Sequence, residues 1–412
     1  MKNLSTQLSS MKMASTNSFS QQFVQIDTLL QQTKHYWQLL PFEHLSFPWA
    51  DNSELVDFVN SLSSQELEAL DADDLALRSA LSRYLDYELD ILAPLSLEQQ
   101  PEVNVPPWLK AGIKGRKWQQ IEKFSSLLNS DKLPVLEWCA GKGHLGRLIG
   151  FTQQRQVTSL EWQQSLCQHG AELSKKHNVE QQFYQSDVFS EDVTQYLMPK
   201  QHAIALHACG DLHSSLLQRA SKKRVEHLSV VPCCYHLIQH QVYQPLSTLA
   251  QQSSLRLSIR DLNLSMQQTV VATTREKHHR RVEVAWRLAF DLLQRRLRQV
   301  ESYLPLPSIK QSMLTGSFEV FCQWACDKKG LALDKDEVDF NTLEQAGWER
   351  RALNTKIELV THGFRQLLER WLLLDRVLFL QQQGYEAKLS LFCPTEVTPR
   401  NTLISAKLLK PH

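Results

Sequence analysis

The opening stretch, Met1-Lys2-Asn3-Leu4-Ser5-Thr6, has no apolar core and does not read as a secretory leader. No apolar run reaches the roughly 18–20 residues that a membrane span needs. The longest candidate, Trp371 to Leu380, is interrupted by Asp375 and Arg376. The formal net charge is only +1, which excludes a chain that binds nucleic acid through its overall charge and leaves any such surface to be local. No CxxC pair occurs, and the eight cysteines are scattered over 412 residues, which fits free thiols in a reducing compartment better than a disulfide framework. Internal repeats are also lacking. These absences lead us to expect a soluble cytoplasmic protein that does not engage a membrane.

What is present is enough apolar residue, 42%, to bury a full core, and enough length for two or three domains. Residues 1 to about 20 are rich in Ser, Gln and Thr and are expected to be disordered. Apolar spacing near 3.6 over Ser64 to Leu70 and Leu77 to Leu85 predicts a small helical region, and the prolines between Pro101 and Pro107 predict a linker. The expected divisions are 1–104, an N-terminal helical region; 105–240, the first part of an α/β domain; 241–362, an insert and candidate substrate-binding segment; and 363–412, the closing helix and strands.

From Trp108 onward, strands and helices alternate. Pro134 to Trp138, Val157 to Trp162, Gln182 to Gln185, His202 to Leu206 and Leu228 to Val231 read as strands, with helices at Lys117 to Leu128, Leu166 to His177 and Ser214 to Lys222. That order implies a doubly wound α/β fold, a parallel sheet with helices on both faces. The rhythm stops after Tyr235. A long helix, Val282 to Val300, has Val282, Trp286, Ala289, Leu293 and Leu297 on one stripe. The alternation returns at Phe364 and ends on two strands, Glu386 to Phe392 and Asn401 to Leu408.

The first strand runs into Cys139-Ala140-Gly141-Lys142-Gly143 and then a helix. Gly141 and Gly143 permit a tight turn and close approach of a ligand, and the helix start offers amide groups to its carboxylate end. Glu137, just before the turn, suits a methionine ammonium and would repel a pyrophosphate. Glu161, ending the second strand, is placed for ribose hydroxyls. Asp187, after the third strand, is placed beside an adenine, or else caps a following helix. With Cys139 and His207 at the same rim, these residues predict S-adenosylmethionine as the ligand. A nicotinamide cofactor and a purely structural turn are the alternatives.

Four blocks in order carry a family resemblance: Cys139 to Gly146, Leu206-His207-Ala208-Cys209-Gly210-Asp211-Leu212, Pro232-Cys233-Cys234-Tyr235-His236, and Thr398-Pro399-Arg400-Asn401. Over about 108–240 and 360–412 the chain resembles the methyltransferase group that includes the methyltransferase domain of glutathione S-transferase C-terminal domain-containing protein and the methyltransferase-like 25 proteins. More distantly it resembles the tRNA 2′-O-methyltransferases of the Trm-thirteen type, without their separate Cys/His zinc modules. The resemblance implies a seven-stranded Rossmann-like sheet ordered 3-2-1-4-5-7-6 and an S-adenosylmethionine donor, and it does not imply one substrate. No thiol-transferase site is legible in the first hundred residues.

In that sheet order Cys139, Cys209, Cys233 and Cys234 share a rim with His207 and His236. Four readings stay open: packing, a thiolate–imidazole metal site, covalent catalysis through Cys209 and Cys233, and redox sensing. No metal is assigned, because no CxxC pair supports one. For a direct transfer, His207 or Asp211 is the expected base. Between Arg275 and Arg298 eight Lys/Arg outnumber three Asp/Glu, so Arg280, Arg281, Arg295, Arg296 and Arg298 are expected to form a basic stripe, extended by Lys114, Arg116 and Lys117. Tyr235, His236, Arg280, Arg281 and Arg400 are the candidate substrate residues. The stripe suggests RNA. A protein or small-molecule acceptor and a non-catalytic donor-binding module are the alternatives.

Overall fold

The computed structural model describes residues 18–99, 104–128, 132–267 and 274–410. The expected disorder up to residue 17, and the part of the proline-rich linker at 101–103, lie outside them.

Seven strands form one sheet: β1 (Val135–Trp138), β2 (Val157–Glu161), β3 (Gln181–Gln185), β4 (His202–Cys209), β5 (His227–Cys233), β6 (Tyr385–Leu391) and β7 (Thr402–Leu408). Their order is β3-β2-β1-β4-β5-β7-β6. The first five strands are mutually parallel, and β7 runs antiparallel to both β5 and β6. This is the Rossmann-like arrangement expected from the sequence. β1 is buried at every position, as a central parallel strand covered on both faces must be.

Helices α1 (Gly115–Ser126), α2 (His144–Gln153), α3 (Gln164–Lys176) and α4 (Asp211–Lys222) flank these strands. Helix α1 buries Trp118, Ile121 and Phe124 in a cluster with Leu145, Leu148 and Ile149 of α2. Fully burying one such side chain stabilises by about 1.5–3 kcal/mol, so this one face holds α1 on the sheet. β4 runs three residues beyond its expected end, which carries His207 and Cys209 inside the strand.

By its internal contacts the chain divides into two compact units. The sheet unit comprises residues 1–31, 91–268 and 367–412. The second unit, 32–90 and 269–366, is helical. It contains Ser64–Ala72, opened by a capping box between Ser63 and Glu66. In its core Val282, Trp286, Phe290 and Leu293 of the helix Thr274–Arg298 pack on Phe318, Phe321, Cys322 and Cys326. Gly347 allows a close helix crossing, since a Cβ there would lie 2.5 Å from the Ala285 carbonyl oxygen. Two sequence expectations need correction. Leu297 is 36% exposed, so the apolar stripe ends at Leu293. Arg295 is buried in an ion pair with Asp291, which also pairs with Arg350, so it leaves the basic stripe.

Candidate functional site

The turn after β1 holds three left-handed residues, Cys139 at φ 56°, Gly141 at 59° and Gly143 at 63°. The Gly141 amide donates to Glu161 Oε2 at 2.9 Å, and the Gln163 amide to Glu161 Oε1 at 3.0 Å. One carboxylate at the end of β2 thus fixes the turn and the entry to α3. The glycines differ in purpose. A Cβ on Gly143 would lie 2.3 Å from the Phe183 ring, and one on Gly146 2.5 Å from Glu137 Oε2. A Cβ on Gly141 would meet nothing within 4 Å. Gly143 and Gly146 are needed by packing beneath the turn. Gly141 faces open space, the cradle a ligand requires.

Glu137 is sealed under α2. It is 4% exposed, accepts from Ser159 Oγ at 2.7 Å, and lies 3.4 Å from the donating Gln181 Nε2. Burial pushes its carboxyl up to about 7. Asp187 is exposed two residues beyond β3 and accepts from the Phe189 amide at 2.9 Å. The short helix that follows is capped by Ser190, so the helix-cap alternative for Asp187 is not the arrangement present.

The ends of β4 and β5 form the other half of the rim. His207 sits at φ 61°, where the register slips between Leu206 and Cys209. Its Nε2–H donates to Gln120 Oε1 of α1 at 2.8 Å, which leaves Nδ1 as the acceptor nitrogen. Burial lowers its pKa to about 4, so the ring is neutral. Gly210 ends the strand, because a Cβ there would strike the Leu237 carbonyl oxygen. Cys209 pairs with Cys233 across the strands, Sγ to Sγ at 3.4 Å. Cys234 follows at φ 47°, and the three sulfurs lie within 4.8 Å of one another. Hydrogen bonds with Cys209 and Cys233 hold the Cys234 thiol low, and hydrogen bonds with Cys209 and Cys234 push Cys233 up. Cys139 stays outside this group, its thiol raised to about 12, chiefly by burial.

Asp211 Oδ2 accepts from the Gln239 amide at 2.7 Å, so its carboxylate also ties down the loop after β5. Tyr235 is fully buried, its ring 5.1 Å from the Arg376 guanidinium. His236 is half-buried, and its Nδ1 is buried without a hydrogen-bond partner. Arg400, between β6 and β7, donates Nη2 to the Met266 carbonyl, while its Nε and Nη1 are buried without partners. Arg400 and Lys117 both bear electrostatically on His207. Arg280 and Arg281 belong to the helical unit. Both are exposed, and Arg281 pairs with Glu68.

A supporting network escaped the sequence reading. His213 shares Nδ1–H with the Ala208 carbonyl at 2.9 Å, and its Nε2 accepts from Arg376 Nε at 2.7 Å. Arg376 reaches Tyr243 Oη, which donates to Asp375 Oδ2 at 2.6 Å. Asp375 also accepts from the amides of Leu246 and Ser247. Burial drives His213 well below its ordinary pKa and keeps it neutral. The available signal was two adjacent charges inside the apolar run Trp371 to Leu380. Gln120 carried no signal of its own.

Residues 116–241 match the family model of a methyltransferase domain. Among solved structures, the chain is similar at 13% identity and a TM-score of 0.25 to magnesium protoporphyrin IX methyltransferase from Synechocystis PCC 6803 with bound SAH, covering 32% of this chain and 61% of that one. It is similar at 13% identity and a TM-score of 0.23 to an rRNA methylase from Streptococcus thermophilus, covering 29% and 72%. It is similar at 14% identity and a TM-score of 0.24 to a putative RNA methyltransferase from Pyrococcus horikoshii, covering 38% and 72%. The chain thus spans less than two thirds of the length of the Synechocystis enzyme. No helix among the described residues is long and apolar enough to cross a membrane. The stretch that matches the methyltransferase-domain model, residues 116–241, holds the first five strands of the Rossmann-like sheet and the turn at Gly141.

Proposed function

We propose that this chain methylates RNA by direct transfer, without an enzyme–substrate bond. The observation that carries the reading is Arg400, a guanidinium at the acceptor side of the rim with two buried N–H-bearing nitrogens lacking partners. An unpartnered buried donor costs about 1–3 kcal/mol, more if charged, and a phosphate would satisfy a guanidinium in its preferred planar geometry once Arg400 turns outward to meet it. A second feature agrees with it. Lys114, Arg116 and Lys117 are exposed at the start of α1, whose first turn has no acid. Cations there oppose the helix dipole by about 0.3–1 kcal/mol each, so the pattern serves something other than helix stability. The same helix carries Gln120, the partner of His207. The resemblance to tRNA 2′-O-methyltransferases points the same way.

When bound, S-adenosylmethionine supplies a methyl group on a sulfonium centre. The Gly141 cradle and the Glu161 carboxylate suit its amino-acid and ribose portions. Gln120 orients His207 so that Nδ1 can accept the proton of an attacking hydroxyl or amine. Asp211, already engaged with Gln239, holds the loop after β5. Catalysis then rests mainly on positioning.

The test is tritiated-methyl transfer to total RNA and total protein from cells lacking the chain. Label is expected in RNA. The triple variant Lys114→Glu, Arg116→Glu, Lys117→Glu should bind RNA more weakly with a flatter salt dependence, while donor affinity is unchanged. Label in protein alone would replace this reading with a protein methyltransferase. Donor binding with no labelled acceptor would leave a donor-binding module.

A further inference from the structure

We propose that Cys209, Cys233 and Cys234 form a zinc site at the joined ends of β4 and β5. The sequence assigned no metal because these cysteines do not fall in a CxxC pair. The fold builds the equivalent by register. β4 and β5 are neighbours, Cys209 pairs with Cys233, and the left-handed Cys234 follows directly. The three sulfurs converge within 4.8 Å, with Cys209 and Cys233 at 3.4 Å. Two thiolates on one tetrahedral zinc, each about 2.3 Å from the ion, lie roughly 3.8 Å apart, which is near the 3.4 Å between Cys209 and Cys233 and inside the 4.8 Å that encloses all three sulfurs.

Three features favour a metal over packing. Cys209 and Cys234 are not fully buried, so an ion has access. Two positions in the cluster's frame, His207 and Cys234, are held at φ 61° and 47°, which packing of small side chains does not require. Two residues after Cys234, His236 has a buried Nδ1 with no partner, outside the group of three sulfurs but on the same loop. Soft thiolates select zinc or copper(I) over magnesium or calcium, and zinc is the divalent ion that takes tetrahedral sulfur sites. Each thiol releases its proton on coordination. The bound ion would lock the ends of β4 and β5 together and fix the backbone that presents His207. This inference stands independently of whether RNA is the acceptor.

The test uses the full chain purified under reducing conditions without chelator. Elemental analysis should find about one zinc per chain, and cobalt substitution should give sulfur-to-metal charge-transfer absorption. Cys209→Ser and Cys234→Ser should each weaken zinc binding by roughly a hundredfold or more, while Cys167→Ser and Cys393→Ser keep it. S-adenosylmethionine binding by the variants reports that they have folded. If they do not fold, competition of zinc against cobalt in the wild-type chain decides alone. Wild-type protein with no more zinc than the Cys209→Ser, Cys233→Ser, Cys234→Ser triple variant would overturn the proposal. So would cobalt spectra without sulfur charge transfer.

Discussion

The two halves of the sheet's rim are built on different principles. At the β1–β2 half, one carboxylate, Glu161, holds two backbone amides, and Gly141 leaves an open cradle above a packed base. At the β4–β5 half, three sulfurs, a neutral imidazole and a guanidinium converge, and Arg400 Nε, Arg400 Nη1 and His236 Nδ1 have no partner. The first half is preorganised for one fixed ligand. The second leaves those three nitrogens unpaired. In a methyltransferase domain this asymmetry fits a constant donor and a variable acceptor.

The largest expected effect breaks the frame of the second half. Asp375→Ala should cost about 3–5 kcal/mol, because it strands Tyr243 Oη, two backbone amides and the buried Arg376 network. Denaturant unfolding measures this. A loss below about 1 kcal/mol would mean the network is not what holds that half.

Paired glycine variants sharpen the contrast within the first half. Gly143→Ala should destabilise by about 2–5 kcal/mol, from left-handed strain plus overlap with Phe183. Gly141→Ala has only the strain, about 1–2 kcal/mol, yet should weaken donor binding at least tenfold by filling the cradle. Glu161→Gln should weaken donor binding about ten- to a hundredfold with the fold intact. Calorimetry alongside unfolding separates the cases. If the two glycine variants behaved alike, the division between base and cradle would be wrong.

The third prediction concerns pH. Glu137 has its folded pKa raised from 4.5 to about 7, so the folded state holds this proton more tightly than the unfolded state. Its penalty is absent below the unfolded value, grows as pH rises from 4.5 to 7, and is complete above 7. The difference amounts to about 3 kcal/mol. Glu137→Gln should remove that slope from a stability-against-pH profile, and parallel profiles for the two proteins would show the carboxyl to be unburdened. Because Glu137 is bonded to Ser159 and Gln181, donor affinity in this variant should stay near that of the wild type.

Legibility followed the range of the interactions. The turn at Gly141 and the strands beside it were readable because each rests on local backbone constraint or on apolar periodicity, whereas the sheet order followed from the family resemblance. The end of β4 was read three residues short, since a strand with a register slip and a left-handed His207 has no simple alternation. The basic stripe was overread. Arg295 has the composition of a surface cation, but its ion pair with Asp291 draws it into the interior.

The sequence by itself determined the alternation of strands and helices, the glycine turn and the acid that ends β2, because strand–turn–helix geometry is specified by residues a few positions apart. Only the tertiary structure decided which polar groups meet. Cys209 and Cys233 are 24 positions apart and touch because β4 and β5 lie in register. Arg400 comes from a connection formed only when the chain returns as β6 and β7, and burial at that point, not its identity, left its Nε and Nη1 without partners while Nη2 reaches the Met266 carbonyl. Local chemistry fixes the elements. The pairing of distant strands fixes the site, because only close packing sets distances to within a bond length.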